Sequence, residues 1–220
     1  MKIITKIISN LKFKRFCILS LLLILYIFVS AISYTNAVCM DISDNVFRLH
    51  VIANSDSKED QNLKYIVRDN VLDYVAQIST TASSKEDIIN ILQNHLTEIE
   101  AIALDTIRKN GFDYSVCVEI GNFAFPTKKY GDISLPAGFY DALRVEIGSA
   151  SGQNWWCVMF PPLCFVDVTS GIVPEESKEL LQSNLSEEEY NLISEESTDV
   201  KVKFKIVEVL QNFTISGIFM

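Results

Sequence analysis

The chain has 220 residues, 49% of them hydrophobic and 21% charged, the composition of a folded domain with an appendage rather than of a disordered polypeptide. Its net charge of −9 is uneven: Lys2, Lys6, Lys12, Lys14 and Arg15 are the only charges before Asp41, leaving 14 basic residues against 28 acidic ones beyond them. So acidic a surface repels phosphate backbones and anionic lipid, which excludes nucleic acid as the expected partner.

The N-terminus has the order of an export element. A basic stretch ends at Arg15, and Phe16 to Ser33 is uncharged and rich in Leu, Ile, Phe and Val. Thr35 and Ala37 stand at the −3 and −1 positions of a cleavage after Ala37. The apolar run of about 18 residues is also near the lower limit of a membrane span, so residues 16–33 are read as a cleaved signal or a retained anchor contacting the membrane. Val38 directly before Cys39 is a poor match to a lipoprotein site. The predicted organisation is 1–37 as signal peptide or anchor, 38–172 as an α+β domain, and 173–220 as an acidic, mostly helical extension.

Val46 to Ala53 alternates as a short strand, with Val46, Arg48, His50 and Ile52 on one face. Asn54-Ser55-Asp56-Ser57 breaks it with turn and N-cap residues, and Ser57 with Asp60 resembles a capping box. A helix follows to about Ile78, with Leu63, Ile66, Val67, Val71, Tyr74 and Val75 on its apolar face. Ser84 with Asp87 opens a second, long amphipathic helix that carries His95 as a boundary residue and stops at Gly111.

Tyr114 to Ile120 then alternates as a strand, and Gly121 to Gly131 is irregular. Phe139 to Ile147 alternates again, with Phe139, Leu143, Val145 and Ile147 inward and Tyr140, Arg144 and Glu146 outward. After the turn Gly148-Ser149-Ala150-Ser151-Gly152, Trp155 to Phe160 returns as a strand. The predicted fold is α+β: an antiparallel meander sheet packed on two amphipathic helices, with an acidic helical C-terminal tail. In that tail Ser186 with Glu189 forms a capping box, and Val200 to Phe213 fits a strand or, preferably, a helix.

The segment from Gln153 to Phe165 holds both tryptophans, a diproline and two of the five cysteines. Adjacent Trp155 and Trp156 on a strand point to opposite faces, so one can anchor the core while the other meets a partner. Cys157 and Cys164 flank a possible turn. They are either a disulfide closing a short loop, contributing about 2–3 kcal/mol, or two small buried thiols.

Catalytic signals are sparse. No CxxC or HxxxH pair suggests zinc, and no glycine-rich phosphate loop suggests a nucleotide, so no metal or cofactor is expected. Arg48, His50, Asn54 and Asp56 gather at a strand end that leads into a helix, which suits anion binding or plain turn and cap duties. An exported hydrolase or ligand-binding protein using His50, Asp56 and Cys157 is the alternative.

Three groups of residues carry a resemblance. They are Arg48-Leu49-His50-Val51-Ile52-Ala53-Asn54-Ser55-Asp56-Ser57, with Asp60-Gln61 and Arg68-Asp69; Leu135-Pro136-Ala137-Gly138, with Tyr140, Ala142, Leu143 and Arg144; and Gly152-Gln153-Asn154-Trp155-Trp156-Cys157 through Pro161-Pro162-Leu163-Cys164. Together they resemble the stage II sporulation protein R family of endospore-forming bacteria. The resemblance implies a signalling protein, not an enzyme. It would be exported from the forespore into the intermembrane space, where it triggers a membrane-embedded aspartic protease that processes the pro-form of sigma-E. The residues expected to meet that receptor are Arg48, His50, Asn54, Asp56, Gln153, Asn154, Trp155 and Trp156.

Overall fold

The computed structural model describes residues 11–163, 173 and 175–194. The chain divides into two compact units, Met1–Cys39 and Met40–Met220. Helix α1 spans Leu11–Asn45. Within α1, Phe13–Ala31 is apolar and exposed, and long enough to cross a bilayer.

In the second unit, strand β1 (Phe47–Ile52) is buried at every position. Helix α2 (Lys58–Ile78) starts where Ser57 Oγ accepts the Asp60 N–H at 3.1 Å. Helix α3 (Lys85–Asn94) has a complete capping box, Ser84 with Asp87. Helix α4 (Leu96–Lys109) follows after a break at His95, whose Nδ1 lies 3.0 Å from the Tyr74 hydroxyl. The expected single long helix is thus two. The apolar period continues through the break, which is why sequence alone does not reveal it. Gly111, at φ +86°, ends α4 in the left-handed region that favours glycine, while Phe112 N–H returns to Ile107 O.

Strands β2 (Val116–Phe125), β5 (Gly138–Ile147) and β6 (Asn154–Phe160) join β1 in one sheet of order β2-β5-β1-β6. β3 (Lys128–Tyr130) and β4 (Ile133–Leu135) form a separate hairpin. The α+β class stands, but the sheet is mixed rather than a meander. β1 runs parallel to β5 and antiparallel to β6, wedged between two strands that sequence order suggests as hairpin partners. The six residues from Gly148 to Gln153 therefore bridge two strand spacings, about 10 Å, too far for a tight turn.

One sheet face packs on the helices, with Leu49, Val51, Leu143, Val145 and Cys157 meeting Leu63, Val67, Leu92, Ile99 and Ala103. The other face carries Arg48, His50, Tyr140 and Trp156. Tyr140, expected outward, is buried there and donates to Pro136 O at 2.8 Å, whereas Phe139, expected inward, is exposed. The alternation holds for Leu143, Val145 and Ile147, which are buried, but Phe139 and Tyr140 reverse the expectation, because the face expected to meet solvent has a second cover that periodicity does not show. The irregular Gly121–Phe125 stretch is a continuation of β2.

Helix α5 (Glu175–Asn184) and helix α6 (Glu187–Ile193, with the Ser186–Glu189 capping box) dock on the same unit. Ser177 Oγ donates to Pro162 O at 2.7 Å, Lys178 pairs with Asp132 at 2.6 Å, and Ser194 bridges to Ile133. The Val200–Phe213 expectation lies outside the described residues.

Candidate functional site

Pairing of β1 with β6 brings the two sequence-distant motifs side by side, with His50 opposite Trp156 and Ile52 opposite Asn154. Because β6 alternates, its adjacent tryptophans part company. Trp155 turns to the helices, where the Arg68 guanidinium sits 4.3 Å from its ring and Tyr65 meets it edge-on. Trp156 turns to the other face, stacked on His50 at 3.7 Å and against Phe125 at 4.6 Å. It is half-buried, so part of the indole remains presented to solvent.

His50 is buried, and its Nε2 donates to Asn154 Oδ1 at 2.7 Å while Nδ1 has no hydrogen-bond partner among the described residues. Burial lowers its pKa from 6.5 to about 4; Asn154 opposes the shift, and Arg144 and Arg48 reinforce it. The imidazole is therefore neutral at neutral pH. Arg48 lies deeper and has no exposed surface. It donates to the Tyr130 hydroxyl at 2.6 Å and sits between the Phe125 and Tyr140 rings, 4.1 and 4.7 Å from their centroids. Its Nε and Nη1 have no hydrogen-bond partner among the described residues. Expected as a contact residue, Arg48 is instead a core cation held by aromatic faces.

The turn after β1 is a joint. Asn54 Oδ1 accepts the Ser149 N–H at 2.9 Å, and Asn54 O accepts the Ser149 and Ser151 hydroxyls, each at 2.7 Å. Asn54 Nδ2 and Ser55 Oγ donate to buried Asp60. Burial tends to raise that carboxyl's pKa, but donors from Ser55, Asn54, Tyr114 and Ser57 outweigh it and hold the pKa below the ordinary value. Gly152 passes so close to the Ser55 carbonyl that a Cβ there would collide with it. Exposed Asp56 accepts the Gln153 N–H at 2.8 Å, and buried Lys64 donates to Gln153 O at 3.0 Å. The backbone just before the tryptophans is thus clamped from both sides.

Three consequences follow for the sequence-expected residues. Asp56, Gln153 and Asn154 are exposed and Trp156 is half-buried; the Asp56–Gln153 bond and the β1–β6 pairing bring them to the same end of the two strands. Asn54 and Arg48 support that end, and Trp155 faces the helices. Cys157 is disulfide-bonded, and Cys164, its expected partner, lies outside the described residues. Sequence reading missed Phe125, Tyr130 and Lys64, because the first two fall in an irregular segment and the third looks like an ordinary helix lysine.

The hydrolase alternative needs His50, Asp56 and Cys157 together. Cys157 pairs with Leu49 and points to the helix-side core, whereas His50 points to the opposite face. Asp56 holds the Gln153 backbone. These groups do not converge. Among the described residues no cluster of three or more His, Cys, Asp or Glu side chains could hold a metal ion.

The family model described as stage II sporulation protein R matches residues 43–170, which take in both motifs and the joint between them. The chain belongs to the stage II sporulation protein R family. It is similar to the stage II sporulation protein R of Bacillus subtilis (strain 168), with 41% identity over 138 residues. That alignment covers 63% of this chain and 62% of the relative, so it spans less than two thirds of either. No solved structure matches. The family match starts after the exposed apolar stretch of α1, a helix compatible with a signal or anchor segment and with export.

Proposed function

We propose that this chain is an exported sporulation signal, carried by Phe13–Ala31 from the forespore into the intermembrane space, where it triggers a membrane-embedded aspartic protease. The protease then processes the pro-form of sigma-E. Family membership supports the sporulation role. The geometric observation that carries the reading is the convergence of the two motifs at one end of β1 and β6, with Asp56, Gln153, Asn154 and Trp156. A half-buried indole with exposed polar neighbours on a rigid strand is the composition of an interaction hot spot.

Activation by binding requires the ligand to favour the active arrangement of the protease over the inactive one. The surface supplies the means: the Asp56–Lys64 clamp fixes the backbone, and the His50 stack fixes the indole, so little ordering remains on docking. The test is Trp156→Ala together with Asn154→Ala in the full chain during sporulation. With folding and export unchanged, pro-sigma processing should fall at least about tenfold, the effect of losing a hot spot of roughly 1.4 kcal/mol or more. Unchanged processing in the double variant would place the receptor contact elsewhere.

A further inference from the structure

We infer that β2 is a self-association strand, pairing antiparallel with β2 of a second copy of this chain. β2 is an outer strand of the sheet, and among the described residues its one strand neighbour is β5. The Gly148 N–H bonds Ser115 O at 2.8 Å, and the β2–β5 register then runs unbroken from Val116 to Phe125. Alternation therefore turns the backbone N–H and C=O of Val116, Val118, Ile120, Asn122 and Ala124 away from β5.

Outer strands of this length are normally protected by lysine, proline, a bulge or a covering element. β2 reads Val-Cys-Val-Glu-Ile-Gly-Asn-Phe-Ala-Phe, with no Lys, Arg or Pro and no register break. Its one charge, Glu119, is paired with Arg144 at 2.6 Å. Among the described residues β6 ends the opposite side of the sheet, and it is built differently: its pairing with β1 shifts register at Phe47/Arg48, and the chain leaves it through Pro161-Pro162.

A second copy fits this edge by symmetry and by charge. Pairing requires outward-facing residues to oppose one another. A two-fold centred on Ile120 does this over residues 116–124, placing Val116 opposite Ala124, Val118 opposite Asn122 and Glu119 opposite Gly121. Centring on Glu119 instead would oppose two carboxylates. The same two-fold stands perpendicular to the sheet. It lays α4, which packs under β2, antiparallel to its copy. The exposed acidic end of α4, with Glu98 and Glu100, then lies towards the other end of the second copy's helix, where Arg108 is exposed beside Lys109, itself paired with Asp105 at 2.7 Å.

The register gives a covalent test. It opposes exposed Cys117 to Phe123 of the second copy in a non-hydrogen-bonded pair, where Cα atoms are about 4.5 Å apart and a disulfide can close. Within one molecule those positions are six strand residues apart, about 20 Å, so no internal bond is possible. The full chain carrying Cys17→Ser, Cys39→Ser and Phe123→Cys is oxidised mildly in detergent, then examined by non-reducing gel and peptide mapping. Phe123→Ser serves as the fold and background control. The expected result is a covalent dimer joined between positions 117 and 123, with a yield that falls at least tenfold when Val118→Lys is added. Absence of that cross-link in a folded protein, a bond joining the two Cys117 residues instead, or a yield unmoved by Val118→Lys would overturn the proposal.

Discussion

The buried histidine beside the candidate surface makes stability depend on pH in a calculable way. His50 has a pKa lowered from 6.5 to about 4 by burial, with Arg144 and Arg48 adding to the shift against the Asn154 hydrogen bond. The unfolded chain then binds the proton more tightly than the folded one between those values, so stability rises with pH across the window and is lost on acidification. From pH 7.5 to pH 5.5 the linkage relation gives a loss of roughly 1.4 kcal/mol, growing to about 3 kcal/mol once both states are protonated. His50→Gln removes this dependence, and an amide at the same place can still donate to Asn154. Urea unfolding of the detergent-solubilised full chain and of His50→Gln, measured from pH 7.5 to 5.5, isolates the effect. That range lies above the window in which the lowered carboxylates Asp60, Asp132 and Asp141 take up protons. The wild-type curve should fall by about 1.4 kcal/mol relative to the variant. Parallel curves would refute the neutral, desolvated imidazole stacked on Trp156.

Other consequences can be checked in the same assay. Gly152→Ala forces a methyl into the Ser55 carbonyl and should cost about 1–3 kcal/mol, loosening the crossover that seats the tryptophans. Arg48→Met exchanges a buried cation without a carboxylate partner among the described residues for an apolar chain of similar length. Stability should stay within about 1 kcal/mol of wild type or rise, whereas Arg48→Ala leaves a cavity and should lose roughly 3 kcal/mol. Asp56→Ala removes the acceptor of the Gln153 N–H and should cost about 1 kcal/mol; it also withdraws the charge that holds up the Lys64 pKa, which then falls further.

Local elements were legible where one local rule decides them. The caps at Ser57, Ser84 and Ser186 and the stop at Gly111 rest on side-chain chemistry within a few residues, and all four are present. The opposed facings of Trp155 and Trp156 follow from strand alternation alone. Strand order was not legible, because β1 inserts between β5 and β6 by long-range pairing that leaves no local trace. A clue existed in β1 itself, whose Phe47–Ile52 run is buried on both faces as befits a central strand. The role of Arg48 was hidden for the same reason: its aromatic neighbours come from residues 125, 130 and 140, brought over it by the sheet and the β3–β4 hairpin. The candidate residues could be singled out in the sequence because their two motifs are distinctive. Which of them are exposed and which are buried depended on the fold.

The central claim is that this chain acts by binding a protease rather than by its own chemistry. It is tested most directly by placing the purified full chain in vesicles facing the membrane-embedded protease and following pro-sigma cleavage against the amount of chain bound. The account predicts saturable binding, cleavage that rises with occupancy, and loss of both with Trp156→Ala and Asn154→Ala. Cleavage without binding, or binding that leaves the protease inactive, would contradict it.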